Sequence, residues 1–336
     1  CVPAPPVMEF DGEGNLIKAW GGKGEGYDWP SNEHGIYIDA KGFVWLAGNG
    51  ENDGQILKFT REGKFVMQIG KSGPQTDSKD TTRLGRPANM TVDIAANEVY
   101  VADGYYNHRI IVFDSETGAF KRMWGAYGKA PDDSVSRERA YDPPPQQFNL
   151  VHGLTISNDG IVYVADRNNN RVQSFTLDGK FLKEGVVARE IPMKGFGTVN
   201  SVALSGDKDQ RFVYVCEGHQ GRVRVLDRST LTEIPQAIFG RVGQYPGMFL
   251  GLHVITTDAK GNVYTGDGRD GRDGRLAHTV DTGLQLFRDM PACQFSAVTI
   301  EAQVTEARLV QAVEDDIERG PLLGDEQHRV PACHRF

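Results

Sequence analysis

The sequence predicts an all-β protein of β-propeller architecture, and three observations predict it. The 336 residues include 40 glycines, more than an average chain carries, alongside many Val, Tyr and Phe. One short alternating pattern recurs along the chain at long, similar intervals. Each full recurrence then runs on into two further alternating stretches. Many short strands, tight turns and internal self-similarity at that period are the signature of propeller blades.

The recurring pattern reads HGIYIDAKGFVWLAG at 34–48, NMTVDIAANEVYVAD at 89–103, HGLTISNDGIVYVAD at 152–166 and HVITTDAKGNVYTGD at 253–267. A looser copy, VNSVALSGDKDQRFVYVCE, covers 199–217. The end points 48, 103, 166, 217 and 267 give intervals of 50–63 residues. Within each copy apolar and polar residues alternate, a turn intervenes at a pair such as Lys-Gly or Asp-Gly, and a second alternating run follows, which describes a two-stranded hairpin. The runs QILKFTREGKFVMQIG at 55–70, RIIVFDSETGAFKRMWG at 109–125 and RVQSFTLDGKFLKEG at 171–185 supply the third and fourth strands. A β-sandwich or barrel would explain the strands but not the fixed period.

Complete blades are expected near 34–70, 87–125, 151–186 and 199–240. Half blades are expected at 7–21 (VMEFDGEGNLIKAWG, outer strands) and 252–267 (inner strands). The propeller thus occupies 1–267. A six-bladed parent with incomplete first and last blades is the reading adopted. A five-bladed closure, in which the two half blades complete one another, is the alternative. The tail 268–336 contains no Lys, Asn, Tyr or Trp and does not continue the pattern; it is expected to be disordered or partly helical, with 300–319 near helical spacing.

Composition excludes several classes. No run of about 18 apolar residues exists, so no transmembrane helix is expected. A net charge of −8 and the lack of a basic cluster argue against nucleic acid as partner. The cysteines Cys1, Cys216, Cys293 and Cys333 are too scattered for a disulfide scaffold and contain no CxxC pair. The opening Cys1 fits a removed leader or a truncated start, and a periplasmic or secreted location is expected ahead of a cytoplasmic one. The polar, Pro-rich insert at 130–146 is expected as a loop near the channel mouth.

Chemistry enters through three histidines. His34, His152 and His253 each stand 14 residues before the same point of the second strand, 48, 166 and 267. Asn89 holds that position in the intervening copy, and Asn200 or Ser201 in the looser one. First strands of blades line the central channel, so residues in phase share one height around it. In a ring of six, alternate blades put the three imidazoles evenly about the axis, with five unevenly. Three His ligands with a fourth position open is the arrangement of a catalytic zinc site. Residues just after the second strands reach the channel mouth: Asp103, Gly104, Tyr105 and Tyr106 in DGYYNHR, Asp166 and Arg167 in DRNNNR. An Arg there suits a substrate carboxylate, and a Tyr beside a metal suits a base. Tyr106 and Asp166 are further candidates for touching substrate, although Asp103 and Asp166 also suit turn capping. Arg109, Arg171 and Arg222, which open third strands, are read as structural.

The runs VYVADGYYNHRIIVFD and VYVADRNNNRVQSFTLDGKF resemble NHL repeats, and 34–267 is similar to the catalytic core of the peptidyl-α-hydroxyglycine α-amidating lyases and their bacterial relatives. The resemblance implies zinc on His34, His152 and His253, a catalytic Tyr105 and a carboxylate-binding Arg167. It implies cleavage of a carbinolamide C–N bond to give an amide and glyoxylate. Two departures stand out. Val254 follows the third His where the family has an Asp supporting a structural calcium, so a calcium site is not expected. The first-blade inner strands, which carry the family's other carboxylate-binding Arg, have no counterpart here. The functional expectation is therefore a zinc-dependent lyase, or a hydrolase, acting on a small carboxylated or peptide-derived substrate. The rival is a non-catalytic NHL propeller that binds a protein or ligand.

Overall fold

The computed structural model describes residues 5–11, 15–135, 139–192, 197–243, 245, 247–267 and two short strands at 280–281 and 310–312. These residues form six separate sheets. Four are complete antiparallel meanders: β3 (Glu33–Ile38), β4 (Val44–Gly48), β5 (Gln55–Phe59) and β6 (Phe65–Gly70); β7 (Asn89–Asp93), β8 (Glu98–Asp103), β9 (Arg109–Asp114) and β10 (Phe120–Trp124); β11 (Val151–Ile156), β12 (Ile161–Asp166), β13 (Arg171–Thr176) and β14 (Phe181–Val186); β15 (Val199–Leu204), β16 (Phe212–Glu217), β17 (Arg222–Asp227) and β18 (Thr232–Glu233). They are called here the first to fourth complete blades.

The remaining strands lie at the two ends of the repeat. β1 (Val7–Phe10) pairs with β2 (Leu16–Trp20), and β19 (Leu252–Thr257) with β20 (Asn262–Asp267). These hairpins belong to separate sheets among the described residues. β21 (Val280–Asp281) extends the sheet of β20, and β22 (Val310–Ala312) that of β1. Apart from Val310–Ala312, the helical expectation for 300–319 lies outside the described residues. The fourth complete blade ends early: β18 is cut short as Pro235, which lacks a backbone donor, opens a 3-10 turn over Pro235–Ala237.

Alternation places the apolar side chains of each blade on both faces, where neighbouring blades cover them. The core is accordingly a series of layers between blades. Val99, Val101 and Ile111 of the second complete blade pack on Trp45, Ala47 and Ile56 of the first. Tyr100, Val112 and Trp124 pack on Leu154, Val164 and Phe175 of the third. Val172, Val202 and Val215 join the third and fourth, and Val7, Leu46 and Phe59 join the first to β1. At about 25 cal/mol per Å² of buried apolar area, such layers are the main stabilising term.

The first strands β3, β7, β11, β15 and β19 touch one another in succession and form the inner wall. Their close approach has a local cause. A Cβ on Gly35 would stand 2.4 Å from Ala88 O, and one on Gly153 would stand 3.1 Å from the Cα of Ser201. The His-Gly pairs of β3 and β11 thus let each inner strand lie directly against the next.

Candidate metal centre

The three histidines and Asn200 stand at irregularities of their strands, whereas Asn89 pairs regularly with Ala102. In β11, Val151 pairs with Asp166 and Gly153 with Ala165, leaving His152 as the surplus residue of a bulge. His253 is surplus in the same way between Leu252 and Val254, Asn200 between Val199 and Ser201, and His34 falls in the interrupted stretch from Glu33 to Ile36. A bulge turns a side chain out of the pleat, here towards the axis. The choice between Asn200 and Ser201, open in the sequence, is settled by this register in favour of Asn200.

The three imidazoles converge. Ring centroids lie 4.8 Å apart for His34 and His152, 5.1 Å for His34 and His253, and 4.6 Å for His152 and His253. One ring nitrogen from each lies within 4.8 Å of the others. His34 Nδ1 meets Ala88 O at 2.8 Å and His152 Nδ1 meets Asn200 O at 2.6 Å. A carbonyl only accepts, so both Nδ1 atoms carry the proton and both Nε2 atoms present lone pairs, the tautomer that a metal needs. Burial, reinforced by the neighbouring histidines and Arg167, holds His152 and His253 well below the ordinary imidazole value, so they are neutral at physiological pH. The donor set fits a divalent metal of zinc type: three imidazoles, those of His34 and His152 preset in tautomer, brought together on neighbouring strands.

Tyr105 reaches this centre from the turn after β8. Its Oη donates to His34 Nε2 at 2.8 Å and lies 3.2 Å from His152 Nε2. Arg167, from the turn after β12, donates from Nη1 to the same hydroxyl at 3.5 Å, while its Nε is buried with no partner among the described residues. It forms no ion pair among the described residues. A half-buried guanidinium so placed has the donor geometry to bind a carboxylate. Tyr106 is 44% exposed, outside the centre.

Asp166 requires a correction. Expected at the substrate, it is fully buried, and its carboxylate accepts from Asn149 N, Asn169 Nδ2 and Arg171 Nε within the blade. Asp103 does the same for Gly85 N, Asn107 Nδ2 and Arg109 Nε. Arg109 and Arg171 are structural as expected, but in the fourth complete blade the buried guanidinium facing Glu217, at 3.8 Å, belongs to Arg224 rather than Arg222.

Two site residues carry no sequence signal. Arg86 lies in the connection between blades, with φ +58°, its Nε donating to Asn49 O and its guanidinium 5.8 Å from the Tyr105 ring centre. The insert at 130–146 comes close as well: Arg139 Nη1 donates to Asn168 O beside Arg167, and Asp133 is tied to Ser78. Residues 136–138 of the insert lie outside the described residues.

Repeating four-stranded blades and a wall of first strands define a β-propeller in which three histidines stand close enough to hold a metal. Family comparison agrees: the chain carries NHL repeats, matched at 84–113 and 148–175. It is 33% identical to peptidyl-glycine alpha-amidating monooxygenase B of Xenopus laevis over 153 residues, 45% of this chain and 16% of that protein. It is 31% identical to a probable peptidyl-alpha-hydroxyglycine alpha-amidating lyase of Caenorhabditis elegans, over 43% of this chain and 36% of that protein. NHL repeat-containing protein 3 of Mus musculus is 27% identical over 52% of this chain and 46% of that protein. The chain thus spans well under two thirds of these relatives. Among solved structures, virginiamycin B lyase from Staphylococcus aureus aligns with a TM-score of 0.45 and 17% identity, covering 70% of this chain and 63% of that one. No helix among the described residues is long and apolar enough to cross a membrane.

Proposed function

We propose that this chain is a zinc-dependent lyase of the peptidyl-α-hydroxyglycine amidating type. The observation that carries the reading is the conjunction at one point of three imidazoles, the Tyr105 hydroxyl and the guanidinium of Arg167, which makes no ion pair among the described residues. His34, His152 and His253 would hold the zinc, which would supply Lewis acidity for the substrate's hydroxyl oxygen. Arg167 binds the substrate carboxylate and so orients the α-carbon. Tyr105 Oη takes the carbinol proton. The C–O bond becomes the aldehyde carbonyl as the C–N electron pair leaves with nitrogen, and nitrogen takes up a proton. One carbinolamide gives one amide and one glyoxylate, with no redox change. Burial of the centre keeps bulk water from competing for the phenol and the guanidinium.

The test is direct. Purified protein should hold one zinc per chain, and the His34→Ala variant should lose it. Zinc-loaded protein should convert N-benzoyl-α-hydroxyglycine into benzamide and glyoxylate. Metal absent from the native protein, or retained in the His34→Ala variant, would overturn the reading. Bound zinc without cleavage would favour the non-catalytic propeller, a role the similarity to an NHL repeat-containing protein keeps in view.

A further inference from the structure

The inner wall holds one more polar group that the histidine centre does not use. Asn200 is 5% exposed and occupies the bulge of β15, the same register position as His152 in β11 and His253 in β19. Its Nδ2 donates to Leu252 O at 2.9 Å. Because that partner is a carbonyl, the amide orientation is determined: nitrogen faces the next blade and oxygen does not. The arrangement resembles that of His34 and His152, whose Nδ1 atoms bond the backbone of the following blade. The other polar atom of the Asn200 amide, Oδ1, is buried with no hydrogen-bond partner among the described residues. A buried acceptor left unsatisfied costs roughly 1–3 kcal/mol, and such groups mark places where a donor is supplied from outside.

We infer that Asn200 Oδ1 is a substrate-binding group that accepts the N–H of the scissile amide. The inference rests on the lyase reading above and adds the residue that orients the leaving nitrogen. Asn200 stands on the blade between those of His152 and His253. The site then has a specific recognition for each polar part of the substrate: Arg167 for the carboxylate, the histidine centre with Tyr105 for the hydroxyl, and Asn200 for the amide. Ligands that replace N–H by oxygen leave Oδ1 unpaired and are discriminated against.

The experiment compares two uncleavable ligands on the zinc-loaded protein. N-benzoylglycine carries the N–H; benzoyloxyacetate, its ester counterpart, does not. Calorimetric affinities should favour the amide by roughly ten-fold in the unmodified protein. In the Asn200→Ala variant that preference should fall to about one, with ester affinity and zinc content unchanged, which also shows that the site is still built. Asn200→Asp, which retains an acceptor, should keep a preference for the amide. Equal preference in the unmodified protein and Asn200→Ala, or no binding of either ligand, would overturn the inference. Failure of zinc-loaded protein to cleave N-benzoyl-α-hydroxyglycine while the amide preference persists would instead count against the lyase reading alone.

Discussion

The second and third complete blades end their second strands in the same way and then diverge. Asp103 and Asp166 are both fully buried, both accept from an Arg that opens the next strand, and both hold an Asn of the turn. The residues that follow differ: Gly104 and Tyr105 in one blade, Arg167 and Asn168 in the other. The buried acid–arginine pair fixes the turn in both blades, and the next residue answers to a different neighbour in each: Gly104 lies so close to the Val151 backbone that no Cβ fits there, whereas Arg167 sends its guanidinium to the Tyr105 hydroxyl. Under the lyase reading the reacting groups stand just after these pairs, while the conspicuous charges of the pairs serve the frame.

This division can be broken at either end. Under the lyase reading, Tyr105→Phe removes the proton acceptor, and kcat should fall by about 10²–10⁴-fold with zinc content and unfolding midpoint unchanged. Asp166→Ala should do the opposite. It removes the Nε partner of the buried Arg171, which keeps Glu184, and should cost about 1–3 kcal/mol in denaturant unfolding; Asp103→Ala, which leaves Arg109 with no carboxylate partner among the described residues, should cost about 3–5 kcal/mol. If either Asp variant instead retained full stability and lost only substrate affinity, the frame and the site would not be separable.

A smaller effect sharpens the comparison between His-Gly pairs. Gly35→Ala brings a Cβ to 2.4 Å from a backbone oxygen, Gly153→Ala only to 3.1 Å from a Cα. Unfolding should show Gly35→Ala the more destabilising, by about 1–3 kcal/mol, and metal affinity should drop with it.

Acidity probes the same wall. His152 and His253 are held below their ordinary value of 6.5 by burial, so the unfolded chain binds more protons than the folded one once pH falls beneath that value. Metal-free protein should keep its stability above about pH 6.5 and lose it progressively below. Replacing both residues with Gln should flatten that loss. The smallest expected change is a few-fold decrease in kcat/KM for Arg86→Gln, since the guanidinium only steadies the Tyr105 ring, an exposed-site cation–π contact being worth about 0.5–1 kcal/mol.

Much of the centre was legible because repetition makes phase visible. His34, His152 and His253 stand out only when the copies are aligned, and the structure brings all three together. Tyr105 and Arg167 follow from the hairpin, which returns the end of the second strand to the start of the first. What phase conveys poorly is burial. Asp166 shares its turn with Arg167, yet the backbone sends one side chain into the blade and the other to the channel. Arg224 displaces Arg222 because Glu217 is one carbon longer than the Asp of the other blades and meets a guanidinium two residues further along β17. Arg86 lies in a connection outside the repeat, where no period exists to expose it.

The inter-blade bonds of the histidines have a consequence for assembly. His34 and His253 are 219 residues apart in sequence (253 − 34) yet meet at one axis. Every seam between them, from the contact of Gly35 with Ala88 to that of Asn200 with Leu252, adds its own angular error to where the last ligand arrives. A metal held there would accept only a narrow range of ligand positions, so its affinity would act as a vernier, reading out the summed precision of all the seams.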